Sequence, residues 1–362
     1  MTFKLLYIDD EIQRPNRDAN YIKSKLELPG EFEIDLKPPP KQLPGADLDQ
    51  NYDALLIDQD LTTAVVDDQS ISYYGGTYAT ESRMRFPARP IILISKENII
   101  TSYHQQIELL EESIIDLTLD KDQVITEPEK IRHKLENLIK GYQALSAIQP
   151  AKHSWSDVLS LMEANETEAK LLRETAAPSE RGNWTVPQVT RWIREVVLRY
   201  PGIVYNELTA ATRLGLSLGS FQRPQVQEWF KPACYTGIFG QDEPFWWRNR
   251  LFHRAQELLL EVNLSGPVSE YFIKAYQQQF KQELQPAICI YDHTPGADWV
   301  CHILKEPVKV QNSVPYYPDS RPEIMDQARV SFKAVLERNE FDVNLVDADS
   351  YELVVKPLLE KN

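Results

Sequence analysis

Five short apolar runs punctuate the first ~145 residues, and their spacing limits the folds open to this part of the chain. They are Lys4–Ile8, Phe32–Leu36, Ala54–Ile57, Ile91–Ile94 and Ile114–Leu119. Each is the length of a strand and rich in Ile, Leu or Val. The Ala54–Ile57 and Ile91–Ile94 runs are continuously apolar, as expected of strands covered on both faces. Segments of helical character separate the runs, around Tyr21–Leu28 and Tyr103–Glu112. A longer helix is predicted over Glu127–Ala147, with Ile131, Leu135, Leu138, Ile139 and Tyr142 at helical spacing. Alternating strand and helix predicts an α/β domain, a doubly wound five-stranded parallel sheet of order 2-1-3-4-5, over residues 1–147.

Beyond it the pattern changes. Gln149–Pro150 breaks the last helix, and residues 148–183 read as a linker carrying a polar helix near Ser156–Thr175. Residues 184–264 read as a mostly helical domain that ends at Ser265–Gly266–Pro267. Residues 265–362 mix a helix (Glu270–Leu284), strands (Ala287–Tyr291, Trp299–Leu304), a proline-rich loop (Val314–Pro322) and a helix (Glu323–Asn339), an α/β or α+β region.

Charge and composition narrow the class of protein. The 362-residue chain carries a net charge of −15, which as a whole repels nucleic acid and anionic membrane. No apolar run approaches the roughly 20 residues that span a bilayer. Acids arrive at position 9, inside what would be the apolar part of a signal peptide, so a cytoplasmic location is expected. Three well-separated cysteines argue against a disulfide framework. Residues 181–262 differ from the rest. They hold 10 basic and 7 acidic residues, against 29 and 47 elsewhere, and five of the seven tryptophans.

The candidate chemistry lies at strand ends. In an open α/β sheet, ligands bind beyond the carboxyl ends of the strands, where the winding reverses. The first strand runs into Asp9, Asp10 and Glu11, and the third, "ALLID", ends in Asp58. With these two strands adjacent, three carboxylates meet at one edge. Their repulsion would be relieved by a divalent cation, and Mg²⁺ suits a few carboxylates together with phosphate oxygens. The fourth strand, "PIILIS", ends in Ser95, and Lys121 follows the fifth in "LTLDKD". A hydroxyl and an ammonium there could bind phosphoryl oxygens.

Taken together, "YIDDE", "DALLIDQDL", "PIILIS" and Lys121 resemble the receiver domain of two-component response regulators, over about residues 1–145. The resemblance implies that Asp9 and Asp10 hold Mg²⁺ with Asp58 and the backbone carbonyl of Asp60. It implies that Asp58 accepts a phosphoryl group from a histidine kinase or phosphotransfer protein, with Ser95 as switch hydroxyl and Lys121 pairing with the phosphate. It further implies phosphorelay signalling to a downstream protein, and a homodimer through the face made by the fourth helix, fifth strand and fifth helix. No enzymatic activity beyond self-phosphorylation is expected. The chain departs from the family pattern at several positions: Asp122 follows Lys121 where proline is usual, Lys96 follows Ser95 where a small residue is usual, and Thr118 replaces the common aromatic. One alternative is a receiver-like scaffold that is never phosphorylated.

A second alternative is a DNA-binding regulator using residues 184–262. "YPGIVYNELTAATRLGLS" reads as a helix over Asn206–Leu214, a turn at Gly215–Leu216 and a second helix from Ser217. A recognition helix in "LGSFQRPQVQEWF" would present Gln222, Arg223 and Gln225, but Pro224 interrupts it. A helical interaction domain is the expected reading. Trp246, Trp247 and Phe252 are expected in its core, the other reading being a pocket or partner surface flanked by Arg248, Arg250 and Arg254. Cys289, His293, Cys301 and His302 lack metal-ligand spacing, because adjacent strand residues point to opposite faces; buried cysteines are expected. His133 is read as a solvated helix residue. No P-loop, nucleophile elbow or metalloprotease motif is present.

Overall fold

The computed structural model describes residues 2–12, 18–43, 51–62, 65–66, 69–96, 114–148, 155–178, 184–318, 321–338 and 340–360. The chain divides into two compact units, Met1–Leu161 with Pro178–Ile193, and Met162–Ala177 with Arg194–Asn362. The segments read separately as 184–264 and 265–362 therefore fall largely in one unit, while residues 148–183 are shared between the two.

The first unit is built on a parallel sheet of five strands: β1 (Phe3–Ile8), β2 (Phe32–Lys37), β3 (Ala54–Asp58), β4 (Ile91–Ser95) and β5 (Leu117–Asp120). Their order is β2-β1-β3-β4-β5, the receiver-like arrangement predicted from the sequence. Every residue of β3 and β4 is buried, which explains their unbroken apolar character. Alternate residues face opposite sides. Leu6, Ile8, Leu55, Ile57, Ile91 and Leu93 share one core with Tyr78 and Ala79 of helix α2 (Gly75–Arg85). On the other side, α1 (Asp18–Leu26) packs on α3 (Lys121–Thr126) and α4 (Pro128–Ile148). Helix α4 buries Ile131, Leu135, Leu138, Ile139 and Tyr142, the stripe its spacing predicts, and Pro128 opens it where a missing N–H costs nothing. Helix Trp155–Leu161 also packs against α4, and Trp155 meets Trp192 with ring centroids 5.2 Å apart. The helix expected around Tyr103–Glu112 and the break at Gln149–Pro150 lie outside the described residues.

Three boundaries differ from the sequence reading. Strand β5 starts at Leu117, because Ile114 and Ile115 pack against the β1–β3–β4 core before the strand begins. Helix α1, Asp18–Leu26, ends before Leu28, which forms an isolated bridge with Phe32. The single polar helix expected over Ser156–Thr175 is two helices, Trp155–Leu161 and Glu166–Arg173. Asn165 and Glu168 form a reciprocal capping box that restarts the second.

The second unit has two apolar cores. One gathers Tyr205, Phe221, Phe230, Trp246, Leu251, Leu258, Phe272 and Tyr276. The other gathers Cys289, Cys301, Val308, Val314, Tyr316, Val330 and Val335. Trp246 and Trp247 are fully buried on a short strand, Phe245–Trp247, paired antiparallel with Val204–Asn206. Their flanking arginines have partners within the unit: Arg248 with Asp326, Arg250 with Glu168, and Arg254 with Glu257. Trp246 and Trp247 are thus core, while Phe252 is half-buried and packs against it.

The predicted helix pair is present as Glu207–Arg213 and Leu218–Phe221, with Gly215 at φ +78° in the turn, a conformation suited to glycine. The second helix lasts four residues, and Pro224 opens a new one, Pro224–Phe230. The expected continuous recognition helix is therefore split. Gln222 donates to Glu207, Arg223 donates to the Glu283 carbonyl, and Gln225 is exposed.

Toward the C-terminus, the strands read at Ala287–Tyr291 and Trp299–Leu304 reduce to isolated bridges and a two-residue strand, Trp299–Val300. The helix read over Glu323–Asn339 is found only over Phe332–Glu337. Arg329–Ser331 forms instead a strand paired with Ser313–Pro315, which overlaps the start of the segment read as a proline-rich loop. Cys289 and Cys301 are buried and act as weak acceptors. The Cys301 thiol receives the Ser331 and Leu304 N–H groups, and Cys289 receives the Asn312 amide. His133 is exposed on α4. Among the described residues, no helix is long and apolar enough to cross a membrane.

Candidate functional site

The carboxyl edge of the sheet gathers the acids singled out in the sequence. Parallel register sets Ile8 beside Ile57, so β1 and β3 end level. Asp9 and Asp10 follow β1, and Asp58 closes β3. Ligand atoms of these three carboxylates all lie within 4.8 Å of one another, and among the described residues they are the acid, histidine or cysteine group arranged to hold an ion. Asp9 is fully buried, Asp58 is 6% exposed and Asp10 is half-buried.

Lys121 completes the cluster. Asp120 at the end of β5 caps α3 by accepting the Asp122 N–H at 3.3 Å, which makes Lys121 the first residue of that helix. The helix start carries the lysine back over the sheet edge. Its ammonium, nearly buried, lies 3.1 Å from Asp58 Oδ1 and 3.5 Å from Asp9 Oδ2. This also accounts for Asp122, where the family pattern has proline: an acid in the first turn suits the helix N-terminus.

Asp9 is held in place from two sides. Tyr7 donates its hydroxyl to Asp9 Oδ2 at 2.6 Å, and the Glu11 N–H donates to Asp9 Oδ1 at 2.8 Å. The sequence reading passed over Tyr7. Its signal was parity, since residues two apart on a strand share a face. Gly75 was also missed. A Cβ there would fall 2.1 Å from the Asp58 carbonyl oxygen, so only glycine lets α2 begin directly against the end of β3. The Gly75 N–H donates to the Gln59 carbonyl, tying that helix start to the residue after Asp58.

Ser95 ends β4, buried, in register with Asp120 and one residue beyond the Ile94 that pairs with Asp58. It therefore shares the edge with the acids and Lys121. The Asp60 carboxylate accepts from the Thr62 N–H and hydroxyl at 3.1 and 2.6 Å, so its side chain serves a local turn. Lys96 is exposed, and Thr118 is half-buried within β5.

The electrostatics match the geometry. Burial raises the Asp58 carboxyl, Lys121 pulls it down, and Asp9 and Asp10 push it further up, leaving it at about 8. A proton or a cation would stabilise this group at neutral pH. The donor set consists of carboxylate oxygens, which is the hard-oxygen chemistry that Mg²⁺ accepts, so the residues present fit that ion.

No family model and no curated protein matches this chain. Among solved structures, the chain is similar to a mutant form of RitR, at 15% identity over 42% of this chain and 58% of that one, with a TM-score of 0.30. It is also similar to the RcsB response regulator of Salmonella typhimurium, at 18% identity over 48% of this chain and 76% of that one, with a TM-score of 0.24. The chain thus spans little more than half the length of the RitR structure. The receiver-like fold stated above rests on the strand order itself.

Proposed function

We propose that the N-terminal unit is a Mg²⁺-dependent phosphoryl acceptor of the response-regulator type, with Asp58 as the accepting residue. The observation that carries this reading is the Lys121 ammonium held 3.1 Å from Asp58 in a cluster with Asp9 and Asp10. Asp9, Asp10, Asp58 and the Asp60 carbonyl would hold Mg²⁺, which supplies positive charge against the phosphoryl oxygens. Asp58, ionised once a bound cation offsets its charge, attacks the phosphorus of a phosphohistidine. The new bond is an acyl phosphate, and the bond to the donor imidazole breaks, leaving with its electron pair. Lys121 offsets charge on the transferring group, and Asp9, fixed by Tyr7 and the Glu11 N–H, keeps its carboxylate aimed at the site. Ser95 at the end of β4 supplies a hydroxyl that can hydrogen-bond the bound phosphoryl group. The partners on this reading are a histidine kinase or phosphotransfer protein upstream, and a protein engaged by the C-terminal unit downstream.

The test is phosphoryl incorporation from a small acyl-phosphate donor with Mg²⁺, followed by intact-protein mass. The native chain is expected to gain one phosphoryl group and Asp58→Ala none. Equal gain in both would refute Asp58 as acceptor, and no gain in either would favour an unphosphorylated scaffold.

A further inference from the structure

Tyr7 stands in a run of aliphatic residues, beside Leu5, Leu6 and Ile8, on an interior strand of the parallel sheet. Its backbone registers with Leu36 on β2 and Leu56 on β3, and its side chain is fully buried. A phenylalanine would fill the same space without taking a hydroxyl out of water, so the hydroxyl needs a reason. The structure supplies one, because the hydroxyl lies 2.6 Å from Asp9 Oδ2.

The acceptor sites of Asp9 give that contact a consequence. An ionised carboxylate offers about four lone-pair sites on its two oxygens. Oδ2 receives the Tyr7 hydroxyl at 2.6 Å and faces the Lys121 ammonium at 3.5 Å. Oδ1 accepts the Glu11 N–H at 2.8 Å. Among the described residues, Oδ2 thus has two donors and Oδ1 has one. Tyr7 takes the closer of the two places on Oδ2, since the Lys121 contact is long. Asp9 is left with open acceptor capacity on Oδ1.

We propose that Tyr7 is a positioning residue that sets ion selectivity at the acidic site, restricting Asp9 to one free oxygen and so favouring Mg²⁺ over Ca²⁺. The proposal rests on the Mg²⁺ reading given above. Mg²⁺ holds a strict octahedron and keeps several waters, whereas the larger Ca²⁺ gathers about six to eight oxygens and often takes both from one carboxylate. With Tyr7 on Oδ2, two-oxygen binding by Asp9 would strip a buried hydroxyl of this acceptor. Removing the hydroxyl opens Oδ2 to the larger ion.

The experiment is calorimetric titration of the full chain with Mg²⁺ and with Ca²⁺, at about pH 8.5 in metal-free buffer, for the native protein and for Tyr7→Phe. The native chain is expected to bind Ca²⁺ at least about fivefold more weakly than Mg²⁺, and Tyr7→Phe to shift that ratio toward Ca²⁺ by at least about fivefold. The ratio is the readout because a loss of packing alone would weaken both ions alike. Thermal melting in EDTA checks that the variant is folded, and the native comparison decides where it is not. Two results would overturn the role of Tyr7 while leaving the Mg²⁺ site standing: a native chain that binds Ca²⁺ as tightly as Mg²⁺, or a folded Tyr7→Phe with an unchanged ratio. Binding of neither ion by the native chain would remove the site itself, and this role with it.

Discussion

The two ends of one sheet handle buried charge in opposite ways. At the amino edge, Arg83 and Asp116 form a nearly buried pair in which every feature is structural. Asp116 Oδ2 also accepts the Ile91 N–H at 2.7 Å, its other oxygen accepts the Tyr142 hydroxyl, and Arg83 donates to the Ile114 and Arg89 carbonyls. The Arg83–Asp116 pair is joined by backbone groups and a tyrosine hydroxyl. At the carboxyl edge, three carboxylates crowd around Lys121 and one of them is raised to about 8. The first cluster holds helices α2 and α4 to the sheet. The second sets three carboxylates near one ammonium, and the proposed Mg²⁺ site rests on that excess of negative charge.

The sharpest way to break this comparison is to unbalance the structural end. Asp116→Ala strips a buried guanidinium of its partner, and the first unit is expected to lose about 3–5 kcal/mol, read from its urea unfolding transition. A loss no larger than that of an exposed pair would mean the amino-edge cluster is not the clasp described.

Lys121→Ala should have a smaller effect of a different kind. It removes the ammonium from Asp58 and Asp9, so the unit is expected to lose on the order of 2 kcal/mol at pH 8. Mg²⁺ should restore much of this loss, since a divalent ion can replace the missing charge, whereas Mg²⁺ should do nothing for Asp116→Ala. Equal rescue of both variants in thermal melts would contradict the distinction.

The third effect is pH-dependent. Asp58 holds its proton more tightly folded than unfolded, because its native value lies above the ordinary carboxylate value. The native state therefore binds more protons than the unfolded state between the two values. Stability contributed by this group is present at low pH and is lost as pH rises toward about 8. In metal-free buffer the first unit should melt lower at pH 9 than at pH 6, and Asp58→Asn should flatten that slope. A steeper slope in the variant would show the sign is wrong.

Much of the first unit was legible in the sequence because its signals are local. ALLI and IILI are apolar throughout since both faces are covered, and the acids at their ends are visible in the string. The α4 stripe follows from spacing alone. The position of Lys121 was readable, whereas its burial and its reach to Asp9, 112 residues earlier, depend on Asp120 capping α3. Tyr7 and Gly75 needed the register of β1 and β3 before their roles could be seen.

The C-terminal unit resisted for a physical reason. Around residues 310–318 and 321–329 its chain is held by side chain to backbone contacts, whereas helix Val268–Phe280 buries a periodic face of Val268, Phe272, Ala275 and Tyr276. Arg329 donates to the Val310 and Ser313 carbonyls, Gln327 to those of Tyr316 and Ala328, and Arg321 to that of Asp326. Such contacts leave no period to read, so the helix expected over Glu323–Asn339 is mostly not helix.

Magnesium titration by calorimetry tests the central claim most directly, because it asks whether the three-carboxylate cluster takes a cation. At pH 8.5 in metal-free buffer, the native chain is expected to bind one Mg²⁺, with affinity falling as pH drops through about 8 and Asp58 takes up its proton. Asp9→Asn and Asp58→Asn should each weaken binding by about tenfold or more. Saturable binding unchanged in both variants, or no binding in the native chain at any pH, would contradict the account.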